Sequence, residues 1–391
     1  MTKRSKLPQV TLKFGKAKPL WAGHPWVFSG AIKSVEGHVE TGGLVEVRDQ
    51  KGGIVGTGTW NPDARIAVRM LGPGVHDGNL SEVIGDRIEQ ARRLRKRCGL
   101  PNADTNAYRL VNGEGDGLPG LIIDIFGDYA SVQCTTAAAE SWRATILETL
   151  PQSVVHISVP EDSARMEGIA PGDRLGRGDR ELHLALSEHG IEWRLKPGKG
   201  QKTGFYTDQR DNRLRVRALA AGQSVLDCYT YTGGFALNAA KGGASRVVAV
   251  DSSGPNVSVA KGTAELNGLS VDFHHEDAVR FLKSTEEQFN IVILDPPKLA
   301  RRRAGLEQAY AKYRAINVAG ISRVTREGIL VSCSCSGLVD DSMFLRMLSD
   351  AAHSAGRQLR VLSVRSSGED HPTPTAFIEG RYLTVVFAQV L

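Results

Sequence analysis

The stretch Ser224–Asp251, SVLDCYTYTGGFALNAAKGGASRVVAVD, decides how this chain is read. Val225 and Leu226 lead into Asp227 as the end of a buried strand, Thr232, Gly233 and Gly234 make a turn, and Phe235 to Ala240 reads as an apolar helix. Glycine has no Cβ to hold a ligand off the backbone, and the free N–H groups of a new helix face the same space, so a nucleotide-like ligand can approach this turn. A second strand, Arg246 to Val250, ends on Asp251, 24 residues beyond Asp227 and placed to take both hydroxyls of a ribose. Open parallel sheets bind ligands at the carboxyl ends of their strands, which sets the pair of acids apart from an ordinary strand, turn and helix. The turn reads DxYxYTGGF and lacks the GxGxxG that a pyrophosphate calls for. A ligand with a ribose and an adenine but no phosphate, S-adenosylmethionine, fits it better.

Two later strands end in chemically useful groups. NIVILDPPKLA, Asn290 to Ala300, is a continuous apolar run that stops at Asp295 because two prolines follow. Such an Asp-Pro-Pro points to methyl transfer onto a planar nitrogenous ring; adenine-N6 enzymes place an aromatic next, and this chain has Lys298. GILVSCSCSGL, Gly328 to Leu338, brings Cys333 and Cys335 onto one face of an extended strand, with Cys335 nearer the ligand edge. Cys333 reads as a small buried hydrophobe. A thiol suits pyrimidine chemistry, since carbon 5 of the ring is too weak a nucleophile until a thiolate adds at carbon 6. Asp295 would then bind the exocyclic amine or N3.

The remaining composition narrows the class. At 391 residues, 41% hydrophobic and 24% charged, the chain suits two or three soluble domains. No apolar run is long enough to span a membrane, and MTKRSKLPQV has no apolar core of a signal peptide, so a cytoplasmic protein without a membrane partner is expected. Five cysteines, Cys98, Cys134, Cys228, Cys333 and Cys335, show no C-x-x-C spacing, so reduced thiols and no metal are expected. A net charge of +6 raises the prior for a polyanionic partner.

The N-terminal part alternates short apolar strands, LVEVRD and RIAVRML, with Gly-rich turns, as a small β domain would. Trp26 and Phe28 in HPWVFSGAI share a strand face and read as core, leaving Lys13, Lys16, Lys18 and Arg48 for RNA. A helix from Leu80 to Cys98 places Ile84, Ile88, Ala91 and Arg95 on one face and ends in Arg92, Arg93, Arg95, Lys96 and Arg97, either a phosphate-facing patch or a solvated face. Residues 108 to 194 read as strands around one amphipathic helix, Ala137 to Leu150, with EDSARMEGIAPGDRLGRGDR as a loop. In KTGFYTDQRDNRLRVRAL, Asp208 is a plausible N-cap for what reads as a surface helix.

The motifs HPWVFSGAI, YRLVNGEGDGLPGLIID, KTGFYTDQRD, YTGGF, LDPPK and SCSGL, in this order over nearly the full length, resemble the ribosomal RNA large-subunit methyltransferase I family. The resemblance implies an α/β fold: a Rossmann-like class I methyltransferase domain at the C-terminus (196–391), preceded by a small β PUA domain (1–73) and a central α+β domain (74–195). It implies methylation of carbon 5 of a cytosine in 23S rRNA, with Cys335 as nucleophile and Asp295 shared between base and cofactor. Gln209, Arg210, Asp227 and the turn Tyr231, Thr232, Gly233, Gly234 and Phe235 would hold the cofactor, with Asp251 on its ribose and Asp277 on its adenine. Two-cysteine RNA enzymes carry a second cysteine where this chain has Pro297, which leaves the acceptor of the carbon-5 proton open. The expected partner is 23S rRNA or a large ribosomal subunit precursor, reached by a base out of its stack, with Arg301, Arg302 and Arg303 near the flanking phosphates. A homodimer is left open. The competing readings are a guanine-N2 methyltransferase, which needs no thiol, and a non-catalytic ribosome assembly factor.

Overall fold

The computed structural model describes residues 7–179, 184–195, 205–300 and 302–391. Arg301, expected near the flanking phosphates, and residues 202–204, which open the KTGFYTDQRD motif, lie outside the described residues. The chain divides into two compact units. One gathers the described residues of Met1–Leu186, Lys196–Thr207 and Glu369–Gly380, the other those of Ser187–Leu195, Asp208–Gly368 and Arg381–Leu391.

In the first unit, strands Gln9–Leu12, Trp26–Phe28, Ile32–Glu36, Leu44–Arg48, Ile54–Trp60 and Ile66–Gly72 form one six-stranded sheet. Its core is Val10, Leu12, Val27, Val45, Val47, Trp60 and Val68. The aromatic pair expected in this core is not there. Strand alternation turns Val27 inward, so its neighbours point the other way: Phe28 is exposed, and the half-buried Trp26 donates its indole N–H to Glu114 Oε1 at 2.7 Å and packs 4.5 Å from the Phe377 ring. Lys13, Lys16 and Lys18 are exposed, whereas Arg48 is drawn onto Glu46, its Nε 2.7 Å from Oε1.

The second sheet of this unit orders Gly172–Arg177, Val154–Val159, Tyr129–Cys134, Leu121–Phe126 and Ala107–Asn112. Helix Leu80–Arg97 lays Ile84, Ile88 and Ala91 against Leu110, Ile123 and Ile146. The single helix expected at 137–150 is two, Ala137–Ser141 and Arg143–Thr149, broken at the buried Trp142. The expected loop at 161–180 also needs correcting: 161–167 is a helix and 172–177 the edge strand, so its Gly and Asp residues punctuate elements rather than replace them.

Arg95 leaves the basic patch. It follows Ile84, Ile88 and Ala91 onto the inner face of its helix, is 1% exposed, and forks onto Asp116, with Nη2 2.8 Å from Oδ2. The same guanidinium donates to the carbonyls of Arg109 at 2.9 Å and Asp370 at 2.8 Å. Arg92 bonds Glu89, leaving Arg93, Lys96 and Arg97 as the exposed cations. Removing one partner of a buried ion pair strands the other, so Arg95→Ala lowers unfolding stability by about 3–5 kcal/mol, while Arg93→Ala stays within about 0.5 kcal/mol. Denaturant titration of the two variants reads the difference.

The second unit holds a seven-stranded sheet. Its strands are β1 (Ser224–Cys228), β2 (Arg246–Asp251), β3 (Asp272–His275), β4 (Phe289–Leu294), β5 (Val324–Ser334), β6 (Leu359–Arg365) and β7 (Thr384–Val390), in the order β3-β2-β1-β4-β5-β7-β6. The first five are mutually parallel; β7 runs antiparallel to β5 and β6. Strands covered on both faces need apolar residues at every position, which is why Val247–Val250 and Ile291–Leu294 are continuous hydrophobic runs and fully buried. The helices are α1 (Arg210–Leu219), α2 (Gly234–Lys241), α3 (Gly254–Leu266), α4 (Ala278–Ser284), α5 (Leu306–Ile321) and α6 (Asp341–Ser354). Strand order reverses between β1 and β4, and a sheet of this kind opens its ligand crevice at such a reversal, outside the carboxyl ends. Among the described residues no helix is long and apolar enough to cross a membrane.

Helix α1 is not the surface helix its sequence suggests. Arg210, Asn212, Arg213 and Val216 are buried, and Arg213 Nη1 donates to both oxygens of the buried Glu188 at 2.9 Å. Asp208 is not its N-cap either: a short 3-10 turn, Thr207–Gln209, precedes the helix, Gln209 takes the cap position, and Asp208 accepts the Tyr382 hydroxyl at 2.7 Å.

Candidate active site

Parallel packing delivers one acid to the end of each of the first three strands. Asp227, inside β1, has 0% exposure. Its Oδ2 accepts the Thr230 hydroxyl at 2.6 Å and the Ala236 amide, in the first turn of α2, at 2.9 Å. Its Oδ1 is buried with no hydrogen-bond partner among the described residues. Burial pushes this carboxyl up to about 7, against the pull of those two hydrogen bonds and with a further push from the Asp295 and Asp251 charges. A buried, unsatisfied carboxylate oxygen is costly unless a cation completes it, so the site suits a ligand carrying an ammonium or sulfonium group.

Asp251, closing β2, accepts the Tyr231 amide on Oδ2 at 2.9 Å and the Ser253 amide on Oδ1 at 2.8 Å, which fixes its plane at the rim. Asp277, just past β3, caps α4 by accepting the Arg280 amide at 2.8 Å and is exposed. The turn between β1 and α2 is held in left-handed backbone: Tyr229 at φ +65°, Tyr231 at φ +53° and Gly233 at φ +86°. The reason for its glycines differs from the one the sequence suggests. A Cβ on Gly234 would stand 2.6 Å from Arg213 Nε, so that glycine makes room for α1; Gly233 supplies the positive φ that starts α2. Thr232 and Phe235 are buried beside them.

The second half of the site comes from β4, β5 and α1. Asp295 follows β4 and is half-buried; Gln209 donates to its Oδ2 at 3.2 Å and itself accepts from Asn212 at 2.8 Å. Arg210 is buried, with Nε 3.2 Å from Asp211 Oδ1. Pro296 is buried, while Pro297 and Lys298 are exposed. Cys333 is fully buried, and burial, then the Asp295 charge, hold its thiol well above the usual range against a hydrogen bond from Gln209. Cys335 lies one residue beyond β5, half-buried, with Sγ 4.0 Å from the Pro296 carbonyl oxygen. The two thiols thus differ as their places in the strand suggest: one is packed away and the other stands by the Asp-Pro-Pro bend.

Asn212, Tyr382 and Glu188 escaped the sequence reading. Asn212 meets Ser366 across 154 residues and Tyr382 meets Asp208 across 174, separations that no local motif encodes. No group of three or more His, Cys, Asp or Glu residues that could hold a metal occurs among the described residues.

Comparison with known proteins defines the class. Residues 175–358 match the S-adenosylmethionine-dependent methyltransferase family and residues 10–73 a PUA-like domain. The fold is that of a putative SAM-dependent methyltransferase from Streptococcus mutans (TM-score 0.82, 18% identity, 97% of this chain and 99% of that one) and of SMU.776, a putative methyltransferase complexed with SAH (TM-score 0.84, 18% identity, the same coverage). This is an S-adenosylmethionine-dependent class I methyltransferase with an N-terminal PUA-like domain. The ribosomal RNA large subunit methyltransferase I of Shewanella denitrificans is 34% identical over 98% of this chain and 99% of its own, and that of Klebsiella pneumoniae 34% identical over 97% of each. The chain belongs to the ribosomal RNA large subunit methyltransferase I family.

Proposed function

We propose that this protein methylates carbon 5 of a cytosine in 23S ribosomal RNA, with Cys335 as the nucleophile. The observation that carries the reading is the half-buried Cys335 thiol, 4.0 Å from the Pro296 carbonyl and so beside Asp295 at the carboxyl end of the sheet. S-adenosylmethionine supplies a methyl group on a positively charged sulfur. Asp227 Oδ1 and the Tyr231–Phe235 turn would hold its amino-acid end, Asp251 its ribose and Asp277 its adenine, and Gln209 and Arg210, where α1 begins, would help to hold it. The Cys335 thiolate adds to carbon 6 of the flipped-out base, which moves the ring's double-bond electrons to carbon 5. Asp295 accepts a hydrogen bond from the exocyclic amine and steadies the activated ring. Carbon 5 would take the methyl group as S-adenosylhomocysteine, a neutral thioether, leaves; a base then removes the carbon-5 proton, and the electrons of that bond re-form the ring double bond and expel the Cys335 thiolate from carbon 6.

The division of labour proposed is rRNA contact by residues 1–73, a central α+β domain at 74–195 and catalysis by 196–391, in the cytoplasm where the ribosomal subunit matures. Exposed Lys13, Lys16, Lys18, Arg302 and Arg303 supply phosphate contacts. Nucleoside mass spectrometry of rRNA treated with the protein and methyl-labelled cofactor tests the assignment: label in 5-methylcytidine supports it, and label in N2-methylguanosine overturns it.

A further inference from the structure

The segment at 332–336 reads Ser-Cys-Ser-Cys-Ser, its first three residues ending β5 and its last two continuing beyond the strand. All three serines have 0% exposure. Ser332 donates to Asn317 Oδ1 at 2.7 Å, Ser334 donates to the Tyr313 hydroxyl at 3.1 Å, and the Tyr313 and Ser336 hydroxyls are 3.0 Å apart. Tyr313 and Asn317 lie one turn apart on the buried face of α5, where Asn317 also donates to the Tyr313 carbonyl at 2.8 Å. Ser336 further accepts the amide of Ala300 at 3.1 Å.

Two facts give this cluster a bearing on the chemistry. Backbone pairing of β5 with β7 ends at Ser334 and Thr384, one residue short of Cys335, so the ladder does not fix the thiol. And Ala300 belongs to the loop that leaves Asp295 and Pro296, so the Ser336 hydroxyl, itself held by the Tyr313 phenol, joins the segment bearing the nucleophile to the segment bearing the base-binding carboxylate. Tyr313 itself is 1% exposed and packed edge-on against Phe344 of α6 at 5.6 Å, so its hydroxyl has little freedom. Burial also raises its pKa, which keeps the phenol a donor at neutral pH.

We propose that Tyr313 is a positioning residue for the nucleophile: through Ser334 and Ser336, on either side of Cys335, it sets the distance between the thiol and the Asp295 bend. The inference rests on the reading of Cys335 as nucleophile. Bond formation at carbon 6 requires sulfur and carbon to meet within about 3–3.5 Å, and small misplacement is expensive.

The test uses the full chain and its methyl transfer to rRNA, with Tyr313→Phe, Ser336→Ala and the double variant beside Cys335→Ala. Tyr313→Phe is expected to lower kcat about tenfold with KM for RNA and Kd for S-adenosylmethionine within about twofold, and to change the iodoacetamide alkylation rate of Cys335 at least about threefold. Ser336→Ala should do the same, and the double variant should be no worse than either, because both act through one chain of contacts. Ser336→Ala carries the test alone should Tyr313→Phe not fold. Wild-type kcat and alkylation in the folded single variants, or losses that multiply in the double, overturn the positioning role. An active Cys335→Ala protein overturns the nucleophile itself, a separate and recognisable result.

Discussion

Cys335→Ala protein binds S-adenosylmethionine with wild-type affinity and transfers no methyl group, a loss of at least about 10⁴-fold in kcat, on the scale of removing a nucleophile from an otherwise intact site. Cys333→Ala, two residues away, keeps kcat within about threefold and loses about 1 kcal/mol of stability for the small void it leaves. The contrast follows from position. Cys333 pairs within the ladder opposite Val385 and is fully buried, whereas Cys335 has left the strand and is half-buried beside Pro296. Single-turnover methyl transfer, with cofactor binding measured separately by calorimetry, distinguishes loss of chemistry from loss of the site. The reverse pattern, an active Cys335→Ala and a dead Cys333→Ala, would move the nucleophile inward.

Asp227→Asn has the second largest effect and acts in two directions at once. Asp227 is a buried carboxyl with an unsatisfied oxygen among the described residues and a pKa raised to about 7. Between the unfolded value of 3.8 and about 7 the folded state binds more protons than the unfolded one, so the cofactor-free protein loses stability as pH rises through that window. The amide carries no charge to desolvate. At pH of about 8, cofactor-free Asp227→Asn should therefore melt about 2–4 °C higher than wild type for each 1 kcal/mol regained, with the advantage shrinking as pH falls below about 7. The same change removes the anion that meets the ligand's cation, and Kd for S-adenosylmethionine should rise about 100-fold, equivalent to about 3 kcal/mol. Wild-type affinity should also increase as pH rises from about 5.5 to 7.5, and the variant should show no such trend. Thermal melts and calorimetry across this range read both effects; equal melting temperatures and parallel pH profiles would contradict the account.

The catalytic sheet was legible because it is buried on both faces. VVAV and IVIL announce parallel strands with no partner information needed, and the acids at their ends fall at the ligand edge by the geometry of the fold. Asp227, Asp251 and Cys335 were singled out that way as candidates. What failed was long-range. Arg95 and the Arg210–Arg213 turn look like solvated cations until Asp116 and Glu188 are placed against them. Trp26 was misassigned because aromatic spacing gives a shared face but not which face, and its partner Glu114 is 88 residues on. The YTGGF glycines were noticed for ligand approach, although Gly234 is small because Arg213 passes over it. The same limit hid Tyr313, whose two serine contacts emerge only when α5 is laid against β5.

The central claim is that a sulfur–carbon bond forms between this chain and its base. Ribosomal RNA carrying 5-fluorocytidine offers no removable proton at carbon 5, so the reaction with S-adenosylmethionine should halt after methyl transfer and leave protein and RNA joined. Proteolysis and mass spectrometry of that complex are predicted to place the nucleotide on the peptide bearing Cys335. Complete turnover without a cross-link, or a cross-link mapped to another cysteine, contradicts the claim.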